Sequence, residues 1–376
     1  MRYCNKCGKH FSEDNNYCPI CGNTLGNLEI PITNDNISES DINKKKVYWE
    51  FLFEDIFCKH RMQEMEKFLI CGTDTTTPTP NSIPRQWPHP WLYSRVFLLF
   101  FITFCVLAIC VWGFQNMNAI PSMIVMGAFA VPLTIMILFM EINVWRNISV
   151  YAVIITFFVG GCTSILASLI ISKFVTIGDL DYIGALTVGV TEEIAKAIIV
   201  YIFFRRFGKI SILSSMLIGA TIGAGFASFE AAGYALQPFL YYSETDILRF
   251  GIDNRLLTDF SEIMFVRAIF APGGHVTWTA LIAAGMALAT RSLGVFSWKV
   301  LLHKRFLMLL AAAILFHTAW DSPLITGSFL PDLGYITLEF FVWLIILSLV
   351  RQGMKEVWYR KAPINPPGTQ KYLYSI

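Results

Sequence analysis

Eight stretches of this chain are apolar for long enough to cross a bilayer, at about 92–114, 119–140, 149–172, 183–204, 211–237, 268–290, 306–326 and 334–350. A helix rising 1.5 Å per residue needs roughly 20 apolar residues to span about 30 Å of hydrocarbon. Lipid offers no partner to backbone N–H and C=O groups, so each stretch must satisfy its own as a helix. With 55% hydrophobic and 15% charged residues, the 376-residue chain does not read as a soluble domain. The expected fold is an all-α polytopic membrane protein of about eight transmembrane helices, seated in the cell membrane. A net charge of +2 points to no nucleic-acid partner.

Charge in the loops predicts orientation. Basic residues concentrate in alternate connections, at Arg146, at Arg205, Arg206 and Lys209, and at Arg291, Lys299, Lys304 and Arg305. They continue after the last span with Arg351, Lys355, Arg360, Lys361 and Lys371, whereas the opposite loops hold Lys173, Arg249, Arg255 and Arg267. The positive-inside rule then places both termini in the cytoplasm. No secretory signal is read before the first apolar run near Trp91, which agrees with that placement.

The N-terminal 25 residues form a separate expectation. Cys4, Cys7, Cys18 and Cys21 make two C-x2-C pairs, each with a glycine after its second cysteine. Two such knuckles complete a tetrahedral Cys4 zinc site, and a module this small gains its folding free energy from the metal. A zinc ribbon is therefore expected at 1–25, with structural zinc as cofactor and a reducing cytoplasm as its compartment. His10 reads as a loop residue, and Cys58, Cys71, Cys105, Cys110 and Cys162 read as ordinary small apolar residues. Residues 26–90 read as a linker with an amphipathic helix at 47–69 and a proline-rich spacer at 73–90; the membrane domain is expected at 91–350 and a cytoplasmic tail at 351–376.

Within the apolar segments lie ionisable groups, each costing about 2.5–3.5 kcal/mol at a helix centre on insertion scales. The fourth carries Glu192, Glu193 and Lys196; one glutamate can pair with the lysine a turn away while the other faces a different helix. Gly219, Gly223 and Gly225 precede Phe226 and Glu230 in the fifth, where small residues let another helix approach. The sixth has Pro272-Gly273-Gly274-His275, a break in helical bonding before a histidine, and the seventh has His317 and Asp321 at i, i+4. Each has a plain structural reading, as packing surface, cap or rotation-setting ion pair. Together they must satisfy one another inside the bundle, and carboxylates, imidazoles and an amine in one small volume suit water activation.

In order along the chain, Glu192-Glu193-x-x-Lys196, Phe226-x-x-x-Glu230, His275 and His317-x-x-x-Asp321 resemble the four motifs of the PrsW family of intramembrane proteases, within the wider Abi and CAAX prenyl protease superfamily. The resemblance covers about residues 92–350. It implies peptide-bond hydrolysis in the membrane, a membrane-protein substrate, and by analogy an anti-sigma-factor-like one. It also implies Glu192 as the water-activating base and Glu193 with Lys196 as its support. His275 and His317 become metal ligands or oxyanion donors, and Glu230 and Asp321 further ligands or orienting groups. A catalytic divalent metal and a metal-free glutamate mechanism both stay open. The superfamily carries an arginine one position later than Lys196 and a histidine in place of Glu230.

Counted inward from the outer ends of their spans, Glu192, Glu230, His275, His317 and Asp321 all fall about 8–14 Å deep. That layer predicts a cut close to the outer membrane face. Two other classes compete, an ion- or proton-coupled transporter and a non-catalytic zinc-responsive sensor. A transporter of internal repeats would show self-similarity between the two halves, and none is seen.

Overall fold

A computed structural model describes residues 2–3, 10–11, 26–27 and 49–359, apart from 74, 80–81, 85, 176–179, 208–209 and 242–253. The chain divides into two units, Met1–Lys46 and Val47–Ile376. In the first, strands β1 (Arg2–Tyr3), β2 (His10–Phe11) and β3 (Gly26–Asn27) form an antiparallel sheet in the order β2-β1-β3, with Arg2 opposite both Phe11 and Asn27. The four cysteines of the expected ribbon lie outside the described residues.

The second unit is helical. It begins with a 3-10 turn (Trp49–Leu52) and α1 (Met62–Leu69), not with one helix over 47–69. The broken segment is held by tertiary contacts: the Tyr93 hydroxyl donates to the Leu52 carbonyl (2.7 Å) and Arg95 to that of Cys58 (3.1 Å). Nor is the segment after Trp49 a free linker. Phe51 stacks on Trp87, which packs edge-on against Trp358, and Arg146 donates to the carbonyls of Lys67 and Phe68. The Cys71 thiol bonds the Ile148 carbonyl, and burial holds its pKa above the ordinary value despite nearby Arg146.

The bundle follows: α2 (Leu92–Ala108), prolonged by a π-helical turn to Gly113; α3 (Ile120–Ile142); α4 (Val150–Ser172), with a π turn at Thr156–Gly160; α5 (Tyr182–Phe207); and α6 (Ile212–Tyr241). Then come α7 (Asn254–Ile269), α8 (His275–Leu293), α9 (Lys304–Asp321) and α10 (Pro331–Tyr359). Among the described residues, six helical segments are long and apolar enough to cross a membrane. The expected fourth and seventh spans form α5 and α9, whose apolar runs are interrupted by the ionisable groups of interest. The chain is an all-α polytopic membrane protein.

Two boundaries differ from expectation. The segment 268–290 splits, because Pro272 and the glycines after it stop one helix and His275 starts the next; the residues before the break form α7, which loop charge alone had placed outside the bundle. The last helix also runs nine residues beyond 350, because Glu356 is buried, accepting from the Ile212 amide (3.0 Å) and from Arg291 (2.8 Å). That carboxylate caps the N-terminus of α6, where amides lack intrahelical partners. Glu141 does the same at the start of α2, accepting from the amides of Trp91, Leu92 and Tyr93 at 2.8–2.9 Å.

At the centre, α6 is buried against α8, α3 and α4. Its small residues set the spacing: a Cβ on Gly219 would sit 2.5 Å from that of Ala283 on α8, and one on Gly161 of α4 would sit 2.6 Å from the Gly225 Cα. Without side chains there, backbones approach closely enough for dispersion to hold helices together in lipid.

Candidate active site

Close backbone approach also brings the site residues together. Gly223 of α6 lies against the His275 carbonyl, so Glu230, two turns along, comes beside the first residue of α8. Gly189 of α5 lies against Thr318 of α9, where a Cβ would be 2.7 Å from the Thr318 hydroxyl; Glu192 and Glu193 follow one turn later and meet His317. The structure thus joins all seven residues expected from the sequence, Glu192, Glu193, Lys196, Glu230, His275, His317 and Asp321, in one hydrogen-bonded network on four helices.

Lys196 is its hub. Its ammonium lies 2.7 Å from Glu193 Oε1, 3.4 Å from Glu192 Oε2 and 2.8 Å from His275 Nδ1, and it sits 3.9 Å from the centre of the Phe226 ring. An ammonium only donates, so His275 Nδ1 accepts and Nε2 carries the proton, donated to Glu230 Oε2 at 3.0 Å. Across the site, Glu193 Oε1 accepts from His317 Nδ1 at 2.8 Å. The other His317 nitrogen, Nε2, faces Asp321 Oδ2 at 3.3 Å and Glu192 Oε2 at 3.8 Å. Trp278 stacks on the His317 ring (centroids 4.7 Å apart) and fixes its plane.

Exposure separates the two glutamates. Glu193 is fully buried and engaged by Lys196 and His317, whereas Glu192 keeps 15% of its side chain open. Of these two, Glu192 is the one that can meet a water or a substrate.

Three site contributors escaped the sequence reading. Arg267, counted there as an outer-loop charge, projects from the last turn of α7 to pair with Glu230 and lies over the Tyr234 ring. The one hint was its place five residues before the Pro272 break. Glu339 and Trp343 of α10 bond the Gly273 amide (3.3 Å) and the Pro272 carbonyl (3.1 Å), holding the turn that presents His275.

The donor set bears on a metal. One ligand atom each from Glu192, His275 and His317 lies within 4.8 Å of the others. Bonds of about 2.0–2.2 Å place the ligands of one ion roughly 3–3.5 Å apart, so these three need to close by about an ångström. Each imidazole already gives one nitrogen to a carboxylate, Glu193 or Glu230, the support that metal-binding histidines use. Four carboxylates (Glu192, Glu193, Glu230, Asp321) face two permanent cations (Lys196, Arg267), an excess of negative charge that suits a divalent ion. Glu193 Oε2 is moreover buried without a hydrogen-bond partner. The residues fit a metal ion; His275 would bind it through Nδ1 only once Lys196 moves off that atom.

Spanning helices that gather carboxylates, imidazoles and an ammonium around a partly open glutamate define a hydrolase built inside the membrane. The chain matches the PrsW family of intramembrane metalloproteases over residues 148–350, which is α4 through most of α10, and it belongs to that family. It is thus an intramembrane protease whose substrates are membrane proteins. No curated protein and no solved structure matches the chain.

Proposed function

We propose that Glu192 is the general base of an endopeptidase that cuts its substrate near the outer membrane face. Glu192 takes a proton from water as the oxygen attacks the scissile carbonyl carbon, and returns it to the leaving amine as the C–N bond breaks. His317 and Lys196 flank Glu192 and hold its carboxylate in place. Lys196 neutralises Glu193, Glu193 orients His317, and Glu230 orients His275. Arg267 borders the same small cavity as His275 and supplies a permanent cation toward a carbonyl oxygen as charge develops on it. Glu192, His275 and His317 are the residues that would hold a divalent ion, which would supply Lewis-acid chemistry at the site.

The observation that carries this reading is the convergence of Glu192, His275 and His317, with Glu192 the exposed glutamate of the pair. In depth, Glu192 is ten residues into α5, about 15 Å from its start, in keeping with a site in the outer half of the bilayer. The proposed setting is the cell membrane with both termini cytoplasmic, and by resemblance the substrate is an anti-sigma-factor-like membrane regulator. The first 25 residues are proposed as a zinc ribbon held by Cys4, Cys7, Cys18 and Cys21.

Comparative proteomics of membranes with and without the chain identifies the substrate, and sequencing its new termini locates the cut. Glu192→Gln preserves shape and removes the base, so folded but inactive protein is expected. Full activity in Glu192→Gln, or a cut at the cytoplasmic end of the substrate's span, would refute the assignment.

A further inference from the structure

Helices α2, α3 and α7 line an apolar cavity of about 750 Å3, open along one side. Its walls include Phe97, Phe101 and Trp112 of α2 and its π turn, Val131 and Ile135 of α3, and Phe265 of α7. A second, narrower cavity of about 50 Å3 reaches Arg267, His275 and Trp278. Gly127, Met264 and Ala268 line both, so the apolar space and the site share one wall. That wall is thin: the Met264 methyl rests on Gly127, whose lack of a side chain leaves room for it, and Phe104 closes in beside it. An unbranched thioether is among the easiest side chains to displace.

We propose that this cavity is the docking groove for the substrate's membrane span, which it feeds past Met264 and Ala268 to His275. The inference rests on the protease reading above and adds a location to it. Continuity with the site favours a peptide over a lipid acyl chain, because only a peptide has a bond to deliver to the site. The lining of α7 agrees: Glu262 puts a carboxylate along a mostly apolar groove. A chain unwinding inside a membrane needs partners for its freed backbone groups, and an acyl chain needs none. A helix about 11 Å across occupies roughly 500 Å3 per turn, so the groove holds about five residues. Helices α2 and α3 precede residue 148, where the family match begins, so this groove gives the chain a selectivity wall outside the matched region.

The test uses the full chain carrying Glu192→Gln, reconstituted in phosphatidylcholine vesicles. The probe is a 20-residue leucine/alanine transmembrane peptide bearing one benzoylphenylalanine in its outer third. Photolysis should attach it to residues of α2, α3 and α7 around Phe101 and Phe265, and not around Ile170 on the exposed face of α4. Ala268→Trp fills the shared wall and should cut that labelling, and peptide cleavage by the Glu192 protein, about tenfold, the equivalent of ~1.4 kcal/mol. Met264→Ala opens the wall and should carry the labelling onward to Trp278, which keeps the test decisive if Ala268→Trp does not fold. Labelling that favours α4, or a benzophenone phospholipid that labels the groove where the peptide does not, overturns the proposal. Groove labelling with no cleavage that depends on Glu192 supports the docking site and overturns the protease reading instead.

Discussion

Removing the Lys196 ammonium is the sharpest perturbation of the site, because no part of it is exposed and four groups converge on it. It lies 2.7 Å from Glu193, 2.8 Å from His275, 3.4 Å from Glu192 and 3.9 Å from the Phe226 ring centre. Lys196→Met nearly preserves the stem and its packing, so the change isolates the charge. It leaves Glu193 fully buried with only His317 for company and with Oε2 already unpartnered. Breaking a buried pair by removing one partner costs about 3–5 kcal/mol, a fall of roughly a hundredfold to a few thousandfold in the folding equilibrium constant. Replacing both partners by neutral groups costs far less. The double variant Glu193→Gln/Lys196→Met, which keeps an acceptor for His317, should therefore recover most of the stability that Lys196→Met loses. Thermal unfolding of the purified proteins in detergent measures both, with membrane abundance as a second readout. A Lys196→Met protein as stable as its parent, or a double variant no better than the single one, would refute the argument that the ammonium neutralises Glu193.

Other expectations follow from single contacts. Arg267→Ala should free Glu230 and lower kcat by about tenfold or more, with Arg267→Lys intermediate because a point charge cannot reproduce the planar fork; equal kinetics for all three would remove Arg267 from the site. Glu141→Ala orphans three amides at the start of α2 and should cost about 1–3 kcal/mol in thermal unfolding, whereas Glu141→Gln should cost less because it still accepts. The full chain should lose one equivalent of zinc in Cys4→Ser/Cys7→Ser by metal analysis; unchanged zinc content would rule out the ribbon.

The motif residues were legible because membrane depth makes each of them costly. Glu192, Glu193, Lys196, Glu230, His275, His317 and Asp321 stand out against apolar neighbours; helical spacing put one glutamate within reach of Lys196 and set His317 and Asp321 on one face, the family resemblance named Glu193 as the partner of Lys196, and the structure pairs Glu193 with Lys196 and His317 with Asp321. Arg267 was not legible, because a basic residue beside a helix break looks like any loop charge until α7 folds back over Glu230. Glu339 and Trp343 were hidden for a related reason: their partners are the backbone of a turn more than sixty residues away. The helix expected at 47–69 gave way to a 3-10 turn and a shorter helix, and local periodicity carries no information about the distant contacts, such as those of Tyr93 and Arg95, that hold this segment.

By itself, the sequence determined that this chain is a bundle of membrane helices with its ionisable groups turned inward, since lipid leaves them no other partners. It also determined which residues those are, and through them the family. Only the tertiary structure decided which glutamate faces the open side of the site, that Lys196 bridges Glu193 to His275, and that α7 closes both the site and the apolar groove beside it. Those outcomes depend on how closely helices cross at Gly189, Gly219, Gly223 and Gly225. Crossing distance is set jointly by two surfaces far apart in the chain, and no periodicity within either one records it.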